Sequence, residues 1–150
     1  MSTIARAELR ELIHDQLAGR WWWADAEGNM GADPRQLPQL HAGEYTLPSS
    51  TRVQRILGWS EVDLLERLPT FKCTQFATCL WADVNYYSRF KWLGWEAPLA
   101  FGTCWSTHSL NWVVTWDRIF HFVEPQTDWV MVPQSKTARP GHWGIWNMDG

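Results

Sequence analysis

The chain has 150 residues, a length that makes one domain and buries about two-thirds of its unfolded surface without cross-links. Only 19% of the residues are charged and the net charge is -3, which excludes a general attraction to nucleic acid or anionic lipid. No apolar run approaches the ~20 residues of a membrane helix, and the N-terminus lacks the apolar stretch of a signal peptide, so the expected location is cytoplasmic.

In chain order, Ile4, Leu9, Leu12, Ile13 and Leu17 recur near the helical period and predict an amphipathic helix over 3–18. Gly19 stops it. Trp21, Trp22 and Trp23 come next, and then 25–41, rich in Gly, Pro and Asp, reads as a long loop or linker. Ser50 is the expected cap of a short helix over 51–57, and Ser60 of a second over 61–68, closed by Pro69. A longer helix begins close to Cys73, with Phe76, Ala77, Leu80, Val84 and Tyr87 on one face. Beyond Gly94 the aromatic and β-branched runs 99–105, 109–116 and 118–123 predict adjacent antiparallel strands, with a turn at Asp117-Arg118. The tail over 135–150 is rich in Trp and Gly and shows no period. The organisation expected is one domain over 1–150: an N-terminal helix and loop (1–43), a core (44–134) and the tail.

Three cysteines, Cys73, Cys79 and Cys104, form an odd set with no Cys-x-x-Cys pair, which argues against a disulfide framework and a zinc knuckle. Cys79 and Cys104 read as core. His14, His41, His121 and His142 share no metal-ligand spacing, so no metal site is expected. The paired short helices over 51–68 carry Arg52, Arg55 and Arg67, which do not amount to a nucleic-acid recognition face.

Cys73 differs from the other two cysteines in its position and in the residues downstream of it. A helix N-terminus offers free N–H groups and a partial positive charge that favour a thiolate and an oxyanion. Lys72 adds a cation beside it. His108 opens the second strand, where it can serve as general base and acid. Glu124 ends the third, where it can hold the imidazole tautomer. A hairpin about Asp117 brings 108 and 124 together at its open end. Gln75 is a candidate oxyanion donor. Each of these also has a plainer reading: a small buried thiol, a histidine satisfying the backbone, a solvated strand end.

Cys-x-x-Phe-Ala at 73–77, His-x-x-Asn at 108–111 and Glu-Pro-Gln at 124–126 resemble the C-terminal domain of the fairy-ring mushroom agglutinin family, whose stand-alone relatives occur in bacteria and phage. The resemblance covers roughly 44–130. It implies a papain-like α+β fold, the helix bearing the cysteine packed on an antiparallel sheet, and a cysteine protease triad at Cys73, His108 and Glu124. Calcium dependence is also implied, but Thr74 and Gln75 stand where the family often has acidic residues, and no ligand set is identifiable. No other cofactor is expected.

Two functions are consistent with these residues. The leading one is a cysteine hydrolase acting on a peptide or protein substrate, with no nucleic-acid or membrane partner. The alternative is a non-catalytic protein on the same scaffold that recognises a host protein or glycan through tryptophans. The chain has thirteen, and Trp21, Trp22, Trp23 and Trp105 are the candidates. Neither reading carries an oligomeric state.

Overall fold

The computed structural model describes residues 2–17, 22–23, 38–69, 71–86, 97–105, 108–133, 144–145 and 147–149. Its main sheet has five strands in the order β7-β6-β5-β4-β9, all neighbours antiparallel. These are β4 (Phe101–Trp105), β5 (Leu110–Val114), β6 (Phe120–Glu124), β7 (Trp129–Met131) and β9 (Asn147–Asp149). Two small sheets accompany it. One pairs β1 (Ser2–Ala5) with β3 (Glu44–Leu47), antiparallel; the other pairs β2 (Trp22–Trp23) with β8 (Gly144–Ile145), parallel.

The two faces of the main sheet result from the two-residue period of a strand. Leu110, Trp112 and Val114 join Phe120, Phe122 and Cys104 on one face, where Leu9, Ile13 and Leu17 of α1 (Arg6–Leu17) meet them. Phe101, Val113 and Val123 lie on the other, against Val53, Ile56 and Leu57 of α2 (Ser50–Leu57) and Phe76, Leu80 and Val84 of α3 (Cys73–Tyr86). Burial on both faces explains why β5 is buried throughout and apolar at every position but Asn111. The result is a mixed α+β fold with the Cys73 helix packed on an antiparallel sheet, as expected. None of the described helices is long and apolar enough to cross a membrane.

Several boundaries differ from expectation. The first helix begins at Arg6 and not at residue 3, because Ser2–Ala5 pairs with β3 and buries Ile4 opposite Tyr45. Arg6 N–H then donates to Gly43 O at 3.0 Å, closing that sheet. Of the expected loop over 25–41, residues 25–37 lie outside the described residues, whereas Leu40 is buried in the core. The helix expected over 61–68 shrinks to a 3-10 turn, Val62–Leu64. Only Val62 of that turn is buried, and Leu64, Leu65 and Leu68 face solvent, so no packing supports a longer helix. The expected period-free tail contributes β8 and β9. The turn after β5 falls where predicted, with Arg118 at φ 62°, held by Arg118 N–H to Thr115 O at 2.8 Å and by an ion pair to Glu8 of α1.

Helix α2 is capped by Ser49, not Ser50: the Ser49 Oγ accepts from Arg52 N–H at 3.2 Å. Ser49→Ala leaves that amide without its partner, and a loss of about 1 kcal/mol is expected. A thermal melt should fall by about 3 °C in consequence, and Ser50→Ala should melt like the unchanged chain.

Candidate active site

The site is assembled where α3 starts and where the β5–β6 pair opens. Lys72 caps α3, its carbonyl accepting from Gln75 N–H at 2.9 Å and from Phe76 N–H at 3.3 Å. Cys73 is therefore the first residue of the helix. The Phe71 ring meets Phe76 edge-on at 4.8 Å, anchoring the approach to the cysteine in the core. One turn further, Asn111 of β5 donates from Nδ2 to Ala77 O at 2.9 Å and to Gly102 O at 3.1 Å. This carboxamide is fully buried and ties α3 to both central strands, so the helix has little freedom to slide along the sheet.

The strand register supplies the other half. Asn111 pairs with Val123, so the open end of this ladder carries His108 on one strand and Glu124 on the other. His108 Nε2 lies 2.5 Å from Glu124 Oε2. The carboxylate is held in turn: Glu124 Oε1 accepts from Gln126 N–H at 3.2 Å, and Thr127 N–H reaches Glu124 O at 3.3 Å. Pro125 between them is buried. The Glu-Pro-Gln run is thus a turn that fixes one carboxylate.

Cys73 and His108 are close enough for each to act on the other's titration, the imidazole lowering the thiol and the thiol raising the imidazole. With Nε2 committed to Glu124, Nδ1 is the nitrogen left for the thiol. The three side chains form a continuous relay. Burial alone would raise the Cys73 thiol, but hydrogen bonds from Ser109 N–H, from His108 and from the Ser109 hydroxyl outweigh it and hold the thiol below its ordinary range. The hydrogen bond to Glu124 raises His108 above the usual imidazole value, against the opposing pull of burial. The two directions favour a thiolate beside an imidazolium. By contrast, burial pushes the other two thiols up: Cys79, with help from Asp83, and Cys104 far more.

The remaining candidates fall elsewhere. Gln75 Oε1 accepts from Lys72 N–H at 2.8 Å, closing half of a capping box at the start of α3. Trp105 lies at the end of β4, half-buried, its indole N–H donating to Thr103 Oγ1 at 3.3 Å. The backbone of Trp22 and Trp23 forms β2; their side chains, and Trp21 altogether, lie outside the described residues. Among the described residues, Trp59, Trp116 and Trp129 have open faces, at 44%, 63% and 52% exposure. Their strand-end and turn positions were the available signal. Ser109 was the residue that sequence reasoning missed, because a serine beside a histidine has no distinguishing pattern.

The ligand set for calcium that the sequence left unidentified is not found among the described acidic side chains. Among the described residues no group of three or more His, Cys, Asp or Glu is arranged so that it could hold a metal ion. Elsewhere burial, then the Asp63 charge, raises the Asp128 carboxyl to about 6.

Fold and cluster together define an α+β domain with a cysteine, a histidine and a glutamate in hydrogen-bonded sequence. No protein-family model and no curated protein matches the chain. Solved structures do. The PSL1a–E64 complex superposes with a TM-score of 0.74 at 15% identity, over 99% of this chain and 51% of that one. Polyporus squamosus lectin, bound to a human-type influenza-binding epitope, superposes with a TM-score of 0.68 at 17% identity, over 99% of this chain and 49% of that one. The chain therefore shares its fold with these mushroom lectin structures and spans about half of their length. The resemblance read from the sequence is supported at the level of a mushroom-lectin fold; at these identities the comparisons do not extend to a papain-like protease domain.

Proposed function

We propose that this chain is a thiol hydrolase of peptide or amide bonds on a papain-like domain. The observation that carries the reading is the relay from Cys73 through His108 to Glu124, closed by the 2.5 Å contact. In the proposed reaction the Cys73 thiolate attacks the carbonyl carbon and a C–S bond forms. The free N–H groups at the start of α3 take the charge that develops on oxygen. The His108 imidazolium gives its proton to the leaving amine as the C–N bond breaks. His108 then removes a proton from water, whose oxygen displaces the sulfur and regenerates the thiol. Glu124 keeps the imidazole oriented and favours its charged form. Gln75, engaged in capping, serves the helix start in this scheme.

The comparisons favour the second reading over this one. The neighbours are lectin structures, one of them holding a glycan epitope, which supports a non-catalytic protein that recognises a glycan or a protein. Trp59, Trp116 and Trp129 supply open aromatic faces for it.

One experiment separates the two. The folded chain is treated at about pH 6 with iodoacetamide or with E64, an epoxide that alkylates thiolates, and the modified residue is found by mass spectrometry. Unfolded casein and a glycan array are offered in parallel. Selective modification of Cys73, well below the ordinary thiol pKa of about 8.5, together with casein cleavage that the modification stops, supports the hydrolase. Slow, equal labelling of all thiols with glycan binding intact and no cleavage sinks it in favour of the binder.

A further inference from the structure

At the end of β5 away from His108, the chain turns at Trp116 and meets the link between β3 and α2. Trp116 N–H donates to Pro48 O at 2.9 Å, which fixes the start of the turn against that link. A hollow of about 240 Å³ opens there, lined among the described residues by Ser2, Leu47, Pro48, Ser49, Arg52 and Trp116. Distant parts of the chain build it: β1 brings Ser2, paired with Leu47 of β3, the first turn of α2 brings Arg52, and the β5–β6 turn brings Trp116. Leu47 and Pro48 are buried and give the hollow an apolar floor. Trp116 leaves 63% of its surface to solvent, so core packing does not account for an indole at this rim. Ser49 Oγ accepts from Arg52 N–H at 3.2 Å and keeps its own proton to give. Ser2 adds a second hydroxyl. Arg52 is the one charged residue of the six, and none of them is acidic. A guanidinium has five N–H donors in a fork, so it can hold a carboxylate beside any partner it already has.

We propose that this hollow binds a single sugar ring that carries a carboxylate, a uronic acid or a similar unit. The C–H face of the pyranose lies on the Trp116 indole, the serine hydroxyls reach ring hydroxyls, and Arg52 takes the carboxylate. The volume is below the roughly 300–1,000 Å³ of pockets for drug-sized ligands, so it suits one ring and not a folded chain. A ligand with one apolar face and a polar edge matches a site with an aromatic wall and a hydroxyl rim; a carboxylate on a flexible peptide side chain has no ring to lay on Trp116. Because the chain as a whole carries a net charge of -3, preference for an anion rests on Arg52 itself. The proposal gives the glycan-binding reading a location and rests on that reading, not on the thiol. The hollow and the Cys73 relay lie at opposite ends of β5.

The test is a titration followed by nuclear magnetic resonance, with methyl glucuronide as the probe and methyl glucoside, the same ring without the charge, beside it. A single ring should bind with a Kd of the order of 1 mM, and saturation transfer should be strongest to the C–H protons of one ring face. The glucoside should bind about tenfold more weakly, the loss expected for one charge-assisted pairing. Arg52→Gln keeps the backbone N–H that Ser49 caps and should weaken the glucuronide to the level of the glucoside. Trp116→Ala changes an exposed ring, keeps the bond to Pro48 O, and should weaken both sugars alike. Thermal melts check that the variants fold, and the preference for glucuronide over glucoside in the unchanged chain needs no variant. Alkylating Cys73 with iodoacetamide should leave binding as it was. No saturable signal at about 10 mM glucuronide, ten times the expected Kd, overturns the proposal. Equal binding of the two sugars, or loss of binding on Cys73 alkylation, overturns it too. Acetate or an acetylated glutamate amide that competes as well as the glucuronide would make this an anion or acidic-peptide site and overturn the sugar. A glycan array that responds while the glucuronide does not leaves a binder that works through another surface, and this site falls alone.

Discussion

Cys73→Ala is expected to abolish peptide-bond hydrolysis while leaving the chain folded. The thiol is small and sits in the first turn of α3, where alanine is a good helix residue, so the cost should stay within about 1–2 kcal/mol. His108 keeps its bond to Glu124. Catalysis has no such reserve, because a nucleophile that forms the covalent intermediate has no substitute in the site. Cleavage of casein should drop to the uncatalysed background, with the melting temperature within a few degrees of the original. Glycan-array binding, if present, should be untouched. Residual cleavage at a tenth of the original rate would place the chemistry elsewhere in the chain.

Glu124→Gln is expected to cost at least about 100-fold in kcat/KM, since general acid–base catalysis contributes roughly 10²–10⁴. The side chain keeps its shape but loses its charge. His108 is raised chiefly by its hydrogen bond to Glu124, so its pKa falls in the variant. Cys73 in turn loses much of its charged partner, so its pKa rises. The pair titrates as a unit, and the pH window in which it is thiolate and imidazolium narrows from both sides. Rates measured from about pH 5 to pH 9 should show a lower, narrower bell; a profile of unchanged width would deny Glu124 its role.

Stability has the corresponding signs. In the unchanged chain the raised His108 contributes stability below its unfolded pKa of about 6.5, lost as pH rises through the folded value. The lowered Cys73 contributes above its unfolded pKa, and that part is lost as pH falls through the folded value. Denaturant midpoints of Glu124→Gln should therefore fall most below about pH 6.5, where the His108 contribution is present.

Much of the site was legible in the chain because its parts are local. The start of α3 at Cys73 can be read from the apolar spacing of Phe76, Ala77, Leu80 and Val84, and the β5–β6 hairpin from two β-rich runs about Asp117-Arg118. Once a helix start and the open end of a hairpin are located, the thiol, the imidazole and the carboxylate are already at element ends. Elements with distant partners were less legible. β1 and β3 are four residues each, and neither has a pattern strong enough to announce a strand; pairing across some forty residues of chain makes them one. The same holds for β9, which adds to β4 from the far end of the sequence.

The sequence by itself determined the order and type of the elements around Cys73, His108 and Glu124, since periodicity and turn chemistry act over a few residues. Only the tertiary structure decided which polar side chains tie the start of α3 to the sheet. Ser109 and Asn111 owe their roles to facing α3, and Gln75 is occupied by the helix cap that its position three residues after Lys72 allows. Hydrogen bonds of that kind depend on the angle and depth at which a helix docks on a sheet. That docking is set by the burial of Phe76, Leu80 and Val84 against Phe101, Val113 and Val123, a packing of side chains that no local pattern contains.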